Sequence, residues 1–153
     1  MPDKNVTFYS IDSEFLQVAC KLIEKMYLSG ERILFLCDNE EEISFYNSKL
    51  WTFSKLSFIP SGNEKSIFIE DAKFCYIWFS TNMAFYNEPT CLLHNGLEIL
   101  NYKNLERFKK IVDIFRCDSI SDAKARSIFY EESGFSVQRL WIQSQASWTA
   151  GNL

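Results

Sequence analysis

His94 is the only histidine in the chain, so imidazole chemistry has a single candidate. A metal site built around it would have to add carboxylates and thiols, and none stand at a recognisable ligand spacing. A cysteine–histidine nucleophile pair would need a distant thiol to fold beside it. A strand-end histidine with a local hydrogen bond is the simpler reading. The five cysteines, Cys20, Cys37, Cys75, Cys91 and Cys117, are odd in number and scattered, with no CxxC pair. That pattern suggests neither a zinc knuckle nor a disulfide framework, and points to buried, reduced thiols. Glu70 and Asp71 adjoin in a turn-like stretch, where solvated charge is ordinary. No cofactor, metal or catalytic residue is expected.

The elements that would position any site begin with residues 6–37. Residues 6–11 (VTFYSI) are β-branched and aromatic, which suits a pleated surface. Asp12 or Ser13 can cap a helix whose apolar stripe is Phe15, Leu16, Ala19, Leu22, Ile23, Met26 and Tyr27. Gly30 can stop it in the left-handed region. Residues 33–37 (ILFLC) are continuously apolar, as in a strand covered on both faces. Strand, helix and strand at this spacing form a βαβ unit.

Farther along, Asp38 and Glu41 suggest a capping box for a second helix with Ile43, Tyr46 and Leu50 inward. Residues 51–62 are aromatic but irregular, closing at Pro60 and Gly62. Strands are expected at 67–69, 74–79, 91–94 and 135–142. Leu105, Phe108, Val112 and Phe115 show a helical period that Asn104 could cap. Ser119 and Asp122 suggest a capping box for a last helix that Gly134 stops. The polar end carries Trp148 and is expected to be loosely held otherwise. The whole predicts an α/β fold: a single-domain, open, mostly parallel sheet flanked by helices.

Length and composition narrow the function. The 153 residues suit one domain, 47% of them hydrophobic and 24% charged. A net charge of −4 argues against broad contact with a phosphate backbone, so no direct nucleic-acid binding is expected. No apolar run is long enough to span a bilayer and residues 1–10 lack a signal core, so a cytoplasmic protein without a membrane partner is expected. The fold class invites a nucleotide, but the turn after the first strand, Ser10-Ile11-Asp12-Ser13, has no glycine to let a pyrophosphate approach the backbone. A GK[ST] phosphate loop is also missing from the sequence. The expected fold is Rossmann-like without a nucleotide-binding loop.

Leu50-Trp51, a short spacer, then Phe58-Ile59-Pro60-Ser61-Gly62 resembles the chi subunit of bacterial DNA polymerase III, whose pattern here is LW…SF-x-PH-G. Thr7 to Tyr9, Ser29-Gly30, the run from Glu106 to Phe115, Ala123 to Arg126, Gly134 and Trp141 are similar in order and spacing. The run from Glu106 to Phe115 looks like the family's ERVVDLF helix. The resemblance covers roughly residues 5–148 and makes residues 1–143 a chi-like α/β domain with a C-terminal tail at 144–153.

What the resemblance implies is a non-catalytic accessory subunit of the clamp-loader complex. Such a subunit binds the acidic C-terminal tail of single-stranded-DNA-binding protein and joins the clamp loader through the psi subunit. A peptide ending in acidic residues and an aromatic ring needs an apolar pocket beside a cation. Trp51 and Phe58 match the family's pocket aromatics. For the cation, one alignment selects Lys124 and another Arg126. This chain departs from the pattern at Ser61, which replaces the usual histidine, and at Ser127 and Ile128, where the family has an aromatic residue and a lysine. The alternative is a small α/β enzyme of unknown substrate on the same scaffold, marked by a deep pocket lined with titratable groups of shifted pKa.

Overall fold

The computed structural model describes residues 4–50, 52–53, 59–99, 102–145 and 147–153, with residue 138 described by its main chain only. Among the described residues eight strands form one sheet: β1 Asn5–Ile11, β2 Ile33–Leu36, β3 Ser61–Asn63, β4 Ile77–Ser80, β5 Cys91–Asn95, β6 Lys110–Arg116, β7 Ser136–Ser144 and β8 Ser147–Gly151. Their order is β3-β4-β2-β5-β6-β1-β7-β8, parallel throughout except for the antiparallel β7–β8 pair. Helices α1 Phe15–Leu28, α2 Glu40–Leu50 and α3 Ile120–Glu132 flank it. The expected α/β class with an open, mostly parallel sheet is what the chain adopts.

The inner strands are apolar because both faces are covered. All four residues of β2, β4 and the first four of β5 are buried. One core joins α1 and α2 to one sheet face through Phe15, Ala19, Ile23, Phe35, Ile43 and Phe79. The second lies on the other face beneath α3 and the 3-10 segments, around Phe8, Trp78, Phe108, Phe115 and Tyr130. Gly30 and Gly134, at φ +80° and +95°, end α1 and α3 where a Cβ would be strained.

Several local expectations fail for identifiable reasons. The βαβ reading of residues 6–37 holds for the elements but not for adjacency, because β5 and β6 lie between β1 and β2. The helical period through Leu105–Phe115 is coincidental: a 3-10 turn, Leu105–Arg107, precedes β6, whose five central residues are all buried. Ile111, Val112 and Ile114 favour the strand. Asn104 does not cap a helix; it is left-handed, at φ +67°, and leads into the 3-10 turn.

Residues 67–69 are not a strand: a 3-10 helix, Ile69–Phe74, occupies the region, with Phe68, Ile69 and Phe74 exposed. Pro60 and Gly62 do not simply close a loop, because Ser61–Asn63 pairs with β4 as an edge strand. The α2 cap lies one residue beyond the expected Asp38–Glu41 box: the Glu42 N–H donates to Asn39 Oδ1 at 2.9 Å, and Glu42 accepts from the Asp38 N–H at 3.0 Å. Neither Asp12 nor Ser13 caps α1. The Ser13 hydroxyl and the Asp12 N–H donate to Gln143 Oε1 instead. Ser119 likewise makes no side-chain cap on α3. The C-terminal stretch is held by main-chain pairing, with Leu140 opposite Gly151 and Gln143 opposite Trp148.

Candidate functional site

Helix α3 carries both cations that the sequence offered for a partner site, and it treats them oppositely. Lys124 is exposed. Ile120 and Ile128, one helical turn to either side, are exposed as well, Ile128 by 59%. A solvent-facing stripe therefore sets one ammonium between two aliphatic side chains. Arg126 points into the protein and is only 3% exposed. Trp51 and Phe58 lie outside the described residues. Ser61 begins the edge strand β3 and is half-buried.

Arg126 belongs to a buried network that sequence reading missed. The parallel register of β5 and β6 sets His94 beside Asp113, both fully buried. Arg126 donates through Nε and Nη2 to the Asp113 carboxylate at 2.7 and 2.9 Å, a bidentate pairing. One turn on, the Tyr130 hydroxyl donates to Asp113 Oδ2 at 2.7 Å and lies 2.8 Å from His94 Nε2. His94 Nδ1 accepts from the Leu97 N–H at 3.0 Å. These partners fix the tautomer: Nδ1 is an acceptor, so the neutral ring carries its proton on Nε2 and donates to Tyr130.

The electrostatics follow from burial. Desolvation lowers the His94 pKa to about 4; Asp113 pulls the other way and Arg126 reinforces the drop. Burial opposes the Arg126 charge, but the hydrogen bonds and charge of Asp113 outweigh it and hold the guanidinium above its ordinary value. Burial, then the charge of Asp113, pushes the Tyr130 hydroxyl well above its ordinary value.

Shifted pKa values were the expected mark of an enzyme, yet His94 and Asp113 have no exposed surface. The shallow cleft above them, about 160 Å³ and lined by Gly96, Glu98, Asp122, Ala125 and Arg126, reaches only the arginine. The network thus ties α3 to β5 and β6. The local hydrogen bond expected of His94 is there, but it is one part of this larger assembly.

The thiols agree with the expectation at four positions. Cys20, Cys37, Cys75 and Cys91 are buried and free, and burial pushes the Cys20 thiol up to about 12. Cys117 departs from it and is exposed. Among the described residues, no group of His, Cys, Asp and Glu is placed to hold a metal ion. Nor is any helix among them long and apolar enough to cross a membrane.

The family described as DNA polymerase III chi subunit, HolC, matches residues 4–138. The DNA polymerase III subunit chi of Pseudomonas aeruginosa is 38% identical over 139 residues, covering 87% of this chain and 93% of that protein. The DNA polymerase III subunit chi of Escherichia coli K12 is 29% identical over 65 residues, 37% of this chain and 44% of its own length. With the match running from β1 into β7, the chain belongs to the DNA polymerase III chi subunit family.

Proposed function

We propose that this chain is a cytoplasmic, non-catalytic accessory subunit of the replicative polymerase. It receives the acidic C-terminal tail of single-stranded-DNA-binding protein and, with psi, connects it to the clamp loader. Family membership supports the role. The observation that carries the tail site is the α3 stripe, where exposed Lys124 stands between exposed Ile120 and Ile128. Lys124 is the tail-binding cation, because Arg126 is committed to Asp113 inside the protein. Trp51 and Phe58 supply the aromatic pocket on the strength of the resemblance alone.

A lysine contributes a point charge without the bidentate fork of arginine. Tail binding should therefore be modest and strongly weakened by salt. The test is titration of the purified chain with a peptide of acidic residues ending in phenylalanine. Lys124→Glu should weaken binding about tenfold or more, and Trp51→Ala should remove most of it with the fold intact. Binding by both variants equal to that of the parent at low salt would refute the site.

Psi needs a different surface, and the connection from β3 to β4 offers one. Phe68 and Phe74 are 79% and 65% exposed beside half-exposed Ile69, between β3 and β4. Exposed apolar side chains of that kind on one short segment suit a partner that stays bound. Phe68→Glu combined with Phe74→Glu should abolish co-purification with psi while leaving tail-peptide affinity unchanged. Undiminished co-purification would place psi elsewhere.

A further inference from the structure

A third surface lies where α1 meets the other end of the sheet. Tyr9 on β1 is in register with Trp141 on β7, which is opposite Ala150 on β8. Gln143 and Trp148, the next pair on the same face, extend this floor. One wall is α1, through Ser13, Gln17, Val18, Lys21, Leu22 and Lys25. Floor and wall enclose an open groove of about 460 Å³. Within it the Tyr9 and Trp148 rings meet edge to face at 5.7 Å, and Trp148 remains 37% exposed. The polar end is built: the Gln143 carbonyl oxygen is held by the Ser13 hydroxyl at 2.8 Å and by the Asp12 N–H.

Charge says what fits. Lys21 and Lys25, one turn apart on α1, line the groove, and among the described residues no carboxylate does. The exposed Arg139 guanidinium lies 5.4 Å from the Trp141 ring, on the same side of β7 as the floor. The chain as a whole carries −4, so this cluster of cations is a local inversion. Among the described residues β8 is also the outermost strand, and its edge offers main-chain donors and acceptors that another polypeptide strand can pair.

We propose that this groove docks an acidic segment of a partner protein. A bulky apolar side chain would seat on Tyr9, Trp141 and Trp148, with flanking carboxylates at Lys21 and Lys25. The site is separate from the α3 stripe, since α1 and α3 pack into different cores on opposite sheet faces. The segment need not be a chain terminus, because groove and strand edge are both open along their length. A single strand of DNA could stack on the same rings, but the outermost strand beside them favours a peptide that can add to the sheet.

The probe is an end-blocked peptide of Asp and Glu around one central Phe, added to the isotope-labelled full chain and followed by NMR. The indole N–H signals of Trp141 and Trp148 should shift. Lys21→Glu combined with Lys25→Glu should weaken binding about tenfold, whereas Lys124→Glu should leave it unchanged. That last arm separates this groove from the tail site, which requires Lys124. Three results would overturn the proposal: shifts confined to α3, no shift at all, or a groove that takes an oligothymidylate or a second copy of the chain in preference to the peptide.

Discussion

Asp113→Ala should destabilise the folded chain by about 3–5 kcal/mol, the range for removing one partner of a buried ion pair. The carboxylate accepts both guanidinium bonds of Arg126 and the hydroxyl of Tyr130, with no exposed surface. Deleting it strands a positive charge inside the second core, which costs far more than the loss of one hydrogen bond. The pair itself need not be a net source of stability relative to apolar residues of similar volume. Asp113→Ala made in an Arg126→Met background should therefore cost much less than in the parent. Urea unfolding of the four proteins measures the coupling. A single-variant loss below about 1 kcal/mol would mean that water or another anion takes over the role of the carboxylate.

Acid should weaken the fold through His94. Its folded-state pKa is about 4, against the ordinary 6.5, because burial penalises the imidazolium. Between those values the unfolded chain binds a proton that the folded chain refuses. The stabilisation is complete above pH 6.5 and is lost as pH falls towards 4, a total of about 3 kcal/mol. Below pH 4 this residue adds no further slope. Acid acts on more groups than this one, so the informative quantity is the difference between the parent and His94→Gln. Unfolding free energies at pH 7, 5.5 and 4.5 should fall faster in the parent. Parallel curves would show that the ring gains its proton as easily inside as outside.

Both effects arise at a place that sequence reading could not foresee. Asp113 interrupts an apolar run, and its neighbours fall by chance at helical spacing, so β6 reads as part of a helix. What makes a carboxylate tolerable there is Arg126, thirteen residues on, and a lone arginine on a helix gives no sign that it points inward. The reverse holds for β1, α1, β2 and α2. Their burial follows from local apolar pattern, and the expected inward residues Ile43, Tyr46 and Leu50 are the buried ones. Gly30 and Gly134 were readable because a helix stop is a property of the backbone. Lys124 and Arg126 could not be told apart by residue type, because which side of α3 meets the sheet is set by tertiary packing. The edge strands β3 and β8, with Ser-Gly-Asn and Ser-Trp-Thr-Ala-Gly sequences, owe their pairing to neighbours more than to propensity.

The sheet order has a bearing on how the molecule is made. Of the described strands, β1 and β2 come earliest in the sequence, yet they do not pair with each other. β2 waits for β4 and β5, and β1 waits for β6 and β7. Among the described strands, β1 pairs only with β6 and β7, so its ladder completes after residue 110 and beyond. A nascent chain of that design holds β1 unpaired until β6 is made, so the middle of the sheet closes late and through non-local contacts.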